Sequence, residues 1–382
     1  MSNAPQVHVL LYCHNVSGLG HIVRSNQIAA ALVDAGGRAT IVTGCAALES
    51  VPIDPRVSVV PIPPVRRASL MRFEATEAGL VDVDIMRARA ARILDQARAA
   101  RAAVILADLL PLGLRGELLP TLVAARAEGW STSFVWGLPY VDVGIAGARL
   151  PANPRILAAF RMYESVIAYE DPSVQDLFEG VPAWALPPRR VSVGVVASHA
   201  PVRAARSDGL VVVTCGGGAS AASLCRDVIA ARRLLSTDQR ISLRLAAGPL
   251  ADLALIQSIA SEARDAEVVG ASTLSEAVPD AHVVVSRAGY NSTAQLLRTD
   301  FPIVFVPYAG GSGDQVLRAR RLDQVPGVEI VEEGSDCAVR LAAALDRALR
   351  GPPTIARAVS NQSGAVAAAR WLLDAPARAA AL

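Results

Sequence analysis

His21 follows two glycines in the run Gly18-Leu19-Gly20-His21, directly after an apolar stretch. Glycine lets a backbone turn tightly and brings a ligand close to a helix N-terminus. A neutral imidazole placed there can take a proton from a hydroxyl. A capping or packing histidine fits the same residues equally well. Arg24 stands near where a further glycine of a dinucleotide fingerprint would fall, so a Rossmann cofactor reading is weak. His14 is a second imidazole that could face a ligand. His8 and His282 fall inside apolar runs and read as structural, and His199 reads as linker surface.

Two further constellations could hold a phosphate-bearing ligand. Thr214-Cys215 leads into Gly216-Gly217-Gly218-Ala219-Ser220, whose amides could cradle a diphosphate with a helix dipole behind them. An ordinary flexible turn is the plain alternative. The most specific stretch runs Ser286-Arg287-Ala288-Gly289-Tyr290-Asn291-Ser292-Thr293-Ala294-Gln295. There Gly289 turns the chain, and Asn291 or Ser292 can cap the helix that follows. A second polar loop spans Pro307 to Gln315, where Asp314 and Gln315 offer an acceptor and a donor–acceptor amide for sugar hydroxyls. Either loop alone fits a helix cap; their combination argues for a binding site.

The elements that must carry these loops alternate between strand and helix. Val7–Tyr12, Ala39–Thr43, Val57–Ile62, Ala103–Ala107, Ser131–Trp136 and Tyr163–Tyr169 read as strands, with Asp108 at the C-terminal end of the fourth. Helices are expected over Ile22–Ala35, Asp84–Ala103, Leu114–Glu128, Asn153–Ala159 and Ser173–Phe178. Proline, arginine and serine then become frequent from Pro182 to Asp208, and helical periodicity is lost. The alternation restarts with strands at Leu210–Thr214, Ser242–Ala246, Val283–Ser286, Ile303–Val306 and Val328–Val331. The domains predicted are 1–190, a linker over 191–208, 209–362, and a last helix over 363–382 with the reach to cross back to the first domain. Both halves read as doubly wound α/β, and ligands of such sheets bind beyond the strand C-termini.

Composition removes other classes. All 37 basic residues are arginine, which excludes a lysine Schiff base and a P-loop lysine. A net charge of +2 over 382 residues gives no reason to expect nucleic acid. The five cysteines are scattered without a CxxC pair, so a reducing compartment and no zinc site are expected. No signal peptide or membrane span is expected, and the predicted location is cytoplasmic. The arginines of the Asp84–Ala103 helix allow peripheral contact with anionic lipid, though a solvated helix is the better reading.

Taken in order, GLGH, the glycine-rich loop and SRAG…Q…P…P…DQ resemble glycosyltransferase family 28, the last segment its C-terminal domain. Asp108 to Leu119 and Tyr163 to Gln175 resemble an uncharacterised group of predicted glycosyltransferases. The resemblance implies a GT-B fold, two Rossmann-like domains facing across a cleft, with the nucleotide-sugar donor on the second and the acceptor mainly on the first. It implies no metal and no cofactor. His21 matches the glycine-loop histidine, Gly216 to Ser220 the phosphate-side loop, and Asp314 and Gln315 a glutamine pair that contacts the donor sugar. Gln295 stands where the family commonly has a ribose-binding glutamate, which leaves UDP favoured rather than assured.

The reaction expected is inverting transfer to a hydroxyl of a small-molecule or lipid-linked acceptor. His21 is the first candidate base and Asp108 the second. Amides at Gly217, Gly218, Asn291 and Ser292, with Arg287 assisting or paired structurally, would stabilise the leaving diphosphate. Antibiotic or secondary-metabolite biosynthesis is the associated setting. The alternatives are a nucleotide-sugar hydrolase, whose pseudaminic-acid-pathway members Gly18 to Arg24 also resembles, and a non-catalytic partner protein of the same fold.

Overall fold

The structure, a computed structural model, describes residues 6–16, 18–67, 73–75, 82–139, 154–172, 176–178, 181–197, 206–218, 220–235, 241–263, 266–270, 273–310, 313–350 and 363–380. The chain divides into two compact units. One comprises Met1–Pro172, Asp176–Val196 and Asn361–Leu382; the other comprises Ser173–Gln175 and Ala197–Ser360.

Unit 1 runs β1 (His8–Cys13), α1 (Gly20–Asp34), β2 (Arg38–Thr43), β3 (Ser58–Pro61), β4 (Val65–Arg67), β5 (Phe73–Ala75), α2 (Asp82–Ala100), β6 (Val104–Asp108), α3 (Leu119–Ala127), β7 (Ser133–Leu138), α4 (Pro154–Phe160), β8 (Ser165–Ala168) and β9 (Arg189–Ser192). Seven strands form a parallel sheet in the order β3-β2-β1-β6-β7-β8-β9, and β4 pairs antiparallel with β5. β1, β6 and β7 are buried along their whole length, as expected for strands covered on both faces by crossover helices. Leu10, Ile105, Trp136 and Val166 fill the core beneath α2 and α3. Each such side chain contributes about 1.5–3 kcal/mol by leaving water.

Unit 2 runs β10 (Leu210–Thr214), α5 (Ala221–Leu234), β11 (Ser242–Ala246), α6 (Leu253–Ala260), β12 (Ala266–Val269), α7 (Leu274–Ala277), β13 (Val283–Ser286), α8 (Tyr290–Leu296), β14 (Ile303–Phe305), α9 (Asp314–Leu322), β15 (Val328–Ile330) and α10 (Cys337–Arg350). Its six strands are parallel in the order β12-β11-β10-β13-β14-β15. The chain then returns to unit 1 with α11 (Gly364–Leu373) and α12 (Ala375–Ala380). α11 lies close on α1: a Cβ at Gly37 would meet Leu373 Cδ2 at 2.7 Å, and one at Gly364 would meet the Val195 carbonyl at 2.4 Å. Trp371 Nε1 donates to Ser165 Oγ at 3.2 Å, which ties the return to β8.

Three local readings are corrected. β9 forms within the proline-rich stretch that reads as irregular, because Arg189 to Ser192 add a parallel edge to β8. β12 adds a further edge where no strand was expected. The helix expected from Leu114 begins at Leu119, since Gly113 and Arg115 take positive φ values of 71° and 52° and break helical geometry. Residues 173–175 of one expected helix, His199 and Ala219 lie outside the described residues. Among the described residues no helix is long and apolar enough to cross a membrane.

Candidate functional site

Each sheet reverses its winding once. In unit 1 the chain leaves β1 toward β2 and β3, then returns to place β6 on the other side of β1. In unit 2 the same reversal falls between β10 and β13. The loops beyond such a switch point part and leave a crevice at the strand C-termini. The residues singled out in the sequence fall around these two points.

In unit 1 the loop after β1 carries Gly18, with φ of 69°, and Gly20 opens α1. The Asn15 side-chain amide donates to the Gly18 carbonyl at 3.1 Å and holds the turn. His21, in the first turn of α1, places Nδ1 at 2.5 Å from Oδ2 of Asp108 at the end of β6. The two candidate bases are therefore one hydrogen-bonded pair. Asp108 is buried, whereas the His21 side chain is 14% exposed. With Nδ1–H donating to the carboxylate, the Nε2 lone pair is the free base.

The backbone that aims Asp108 is unusual. Leu109, the next residue, has φ of 64°, a left-handed conformation costing a non-glycine residue about 1–2 kcal/mol. Two bonds hold it there: Leu109 N–H donates to the Gly137 carbonyl at 2.8 Å, and Trp136 Nε1 donates to the Leu109 carbonyl at 2.7 Å. Asn15, across the switch point, is also left-handed, with φ of 34°.

Arg24, one turn after His21, is 2% exposed and binds both oxygens of Asp108 through Nη2 at 2.8 Å. Its Nη2 also stands 2.9 Å from His21 Nδ1. Burial pushes the Asp108 carboxyl up, but Arg24 and His21 outweigh it and hold the group well below the ordinary carboxylate range. The guanidinium lies over the Tyr169 ring, 5.5 Å from its centroid, and Gly137 makes room for the Tyr169 hydroxyl. The His14 ring packs 4.5 Å from that of His21; burial pushes its pKa well below the usual imidazole value, so it is neutral. Beneath it, Arg89 donates to the carbonyls of His14 and Pro63 and pairs with Glu117, both side chains fully buried.

In unit 2 the β10–α5 loop uses glycine where no other residue fits. Gly218 has φ of 97°, and a Cβ there would meet the Ala247 carbonyl at 2.6 Å. Gly248 in the neighbouring loop has φ of 81°, and its Cβ would meet the Gly216 carbonyl at 2.2 Å. On the other side a Cβ at Gly216 would lie 3.4 Å from Ser292 Oγ, so the glycine-rich loop and the SRAG segment share one crevice. Ser220 precedes α5 and Gly289 precedes α8, and neither helix start receives a side-chain cap. Ala221 N–H donates to the Gly218 carbonyl at 3.0 Å, and the amides after it in the first turn of α5 face the crevice without a side-chain cap.

The charged residues of this crevice mostly brace it. Arg287, buried, pairs with Glu333 Oε1 at 2.7 Å and donates to the Val306 carbonyl at 3.0 Å and Ser223 Oγ at 2.7 Å. It ties the segments after β14 and β15 to the first turn of α5. Asp314 opens α9 and pairs with Arg318 at 3.2 Å, while Arg318 also donates to the Ala288 carbonyl at 2.6 Å. Gln315 accepts from Tyr308 N–H at 3.1 Å. Asn291 lies in the first turn of α8, and Gln295 lies near its end, half-buried. Arg24, Arg89, Glu333 and Arg318 were missed in the sequence, although His21 and Arg24, three apart on a helix, share a face.

A cavity of about 500 Å³ lies elsewhere in unit 2, where Leu210, Ser242 and Ala266 begin their strands. Its charges satisfy one another, Arg244 pairing with both Asp280 and Glu267. Among the described residues no group of three or more His, Cys, Asp or Glu side chains is placed to hold a metal ion.

Comparisons with known proteins agree with this layout. Several hundred solved chains share the fold. MurG of Acinetobacter baumannii aligns over 97% of both chains with a TM-score of 0.57 and 14% identity. The calicheamicin glycosyltransferase CalG4 aligns over 99% of this chain and 97% of its own, with a TM-score of 0.61 and 15% identity. At such identities the likeness is one of fold, and the fold is GT-B: two Rossmann-like α/β domains. Residues 210–370 match the glycosyltransferase family 28 C-terminal domain. The UDP-N-acetylglucosamine–N-acetylmuramyl-(pentapeptide) pyrophosphoryl-undecaprenol N-acetylglucosamine transferase of Chelativorans sp. (strain BNC1) is 32% identical over 104 residues, 26% of this chain and 28% of that protein. The matched segment thus spans little more than a quarter of that relative.

Proposed function

We propose that the protein is an inverting, metal-independent glycosyltransferase that moves a sugar from a nucleotide donor, UDP-linked by preference, to a hydroxyl of a small-molecule or lipid-linked acceptor. The observation that carries this reading is the His21–Asp108 pair, 2.5 Å apart at the switch point of unit 1. A family 28 domain supplies the donor end of the argument. His21 Nε2 takes the acceptor's proton as the hydroxyl oxygen bonds to the anomeric carbon. The bond from that carbon to the diphosphate breaks on the opposite face, and the nucleoside diphosphate leaves with its electron pair. Asp108 accepts from Nδ1–H and so fixes the imidazole tautomer and aims Nε2. The uncapped start of α5 behind Gly216, Gly217 and Gly218 is oriented before reaction to receive the diphosphate charge.

The setting follows from association: a cytoplasmic enzyme in antibiotic or other secondary-metabolite synthesis. The test is a panel of UDP-, dTDP- and GDP-sugars screened by thermal shift, followed by turnover of the stabilising donor with hydroxylated acceptors. Transfer with inverted configuration and without added metal supports the reading. Rapid donor consumption that no acceptor accelerates points instead to a hydrolase, and absence of binding by every nucleotide sinks both.

A further inference from the structure

The base in unit 1 does not have Asp108 to itself. Oδ2 of that carboxylate lies 2.5 Å from His21 Nδ1 and 2.8 Å from Arg24 Nη2, and Oδ1 receives Arg24 Nη2 at 2.8 Å and Nε at 3.2 Å. The guanidinium takes both oxygens; the imidazole takes one. Tyr169 covers the guanidinium with its ring. The three contributing stretches are the glycine-loop segment, the Asp108 segment and the Tyr169 segment, which are far apart in sequence.

We propose that Arg24 is a positioning residue that opposes a proton on His21 and so keeps it competent as a base. The inference rests on the reading of His21 as the base. Asp108 carries −1 and Arg24 carries +1, so the buried pair is neutral before His21 is considered. A proton on His21 would add an uncompensated charge 2.9 Å from the guanidinium, which opposes it. Without Arg24, the buried carboxylate must draw its countercharge from His21. The imidazole would then hold a proton more readily, and as imidazolium it cannot accept one.

Three further titratable groups near His21 are His14, Cys13 and Arg89. His14, from the loop after β1, is neutral through burial. Burial pushes the Cys13 thiol up to about 12, so it is uncharged as well. Arg89 of α2 is matched by Glu117. Arg370 and Asp374 lie with Leu373 at the Gly37 end of α1, roughly 20 Å from His21 along a helix rising about 1.5 Å per residue.

Arg24→Met and Arg24→Gln, with the wild-type chain, decide the matter. The chain has five histidines, and the His21 resonance is identified by its loss in His21→Gln. Histidine NMR titration reads the proton directly and needs no substrate. The expected midpoint of His21 is at least about one pH unit higher in both variants than in wild type, an ordinary effect for an adjacent charge. The acid limb of kcat/KM moves up equally, with at least about a tenfold fall below it. If Arg24→Met does not fold, Arg24→Met/Asp108→Asn removes both charges, and its His21 midpoint is compared with that of Asp108→Asn. The guanidinium stands 2.9 Å from Nδ1 with or without the carboxylate, so the double variant's midpoint is expected to be at least about one pH unit above that of Asp108→Asn. An unchanged His21 midpoint in a folded Arg24→Met or Arg24→Gln chain, or a double variant with the same midpoint as Asp108→Asn, overturns the proposal. A shifted midpoint in a chain that transfers no sugar keeps the role of Arg24 and removes the transferase reading; transfer with an unshifted midpoint does the reverse.

Discussion

Asp108 stands 87 residues from His21 in the chain, yet its carboxylate lies 2.5 Å from the imidazole Nδ1. The contact joins the end of β6 to the start of α1 at the point where the sheet reverses its winding. A proton-accepting pair in that place predicts a specific kinetic pattern. His21→Ala is expected to lower kcat by about 10²–10⁴ with donor affinity nearly unchanged. Steady-state kinetics with calorimetric donor binding checks it; near wild-type turnover removes His21 from the role of base.

Unit 1 is predicted to lose stability in acid in two stages. His14 is neutral when folded, with its pKa lowered by burial, so the unfolded chain binds a proton that the folded chain refuses. Stability therefore falls as pH drops below about 6.5, the unfolded value. Asp108 is held below its usual range when folded. Its contribution is complete above about 3.9 and is lost as pH falls from there through its folded value. Denaturant melts from pH 8 to 3 measure the upper stage and the onset of the lower, and His14→Phe is expected to flatten only the upper stage. An unaltered upper stage in that variant assigns the proton elsewhere.

Gly248→Ala is expected to damage the crevice of unit 2 more than its size suggests. Its Cβ would press on the Gly216 carbonyl at 2.2 Å, in a backbone with φ of 81°. Strain of this kind costs about 1–3 kcal/mol. The carbonyl can yield only by moving the glycine-rich loop. Thermal melting should therefore fall together with nucleotide affinity, whereas Gly270→Ala, in open space, should leave both intact. Unchanged affinity in Gly248→Ala would separate that loop from the nucleotide.

Arg287→Met is predicted to act on the fold first. Glu333 would lose a partner at 2.7 Å, and breaking a buried pair costs about 3–5 kcal/mol, somewhat less here because Glu333 is 22% exposed. A double-mutant cycle with Glu333→Gln should reveal strong coupling in stability. If Arg287→Met keeps its stability and loses only nucleotide binding, the side chain contacts the ligand after all.

Much of this arrangement is legible in the chain itself. The buried strands β1, β6, β10 and β13 are unbroken apolar runs, and the glycines after β1 and β10 mark turns that only small residues permit. β9 and β12 were not legible. Both are short edge strands with mixed burial, defined by the neighbour they pair with rather than by their own pattern. The bend at Arg115 was hidden for the same kind of reason, since a left-handed arginine is held by its surroundings and not by propensity.

Sequence by itself determined the two α/β halves, the absence of lysine chemistry and the loops that could meet phosphate, because periodicity and glycine spacing are local properties. Only the tertiary structure decided what the charged residues do. His21 and Asp108, two separate candidates along the chain, are one pair, and Arg24 shares their carboxylate. Arg287, read as a ligand contact or a structural partner, is held by Glu333. The physical reason is range. A buried charge must find its partner wherever the fold brings one within about 4 Å, and no spacing along the chain encodes that distance.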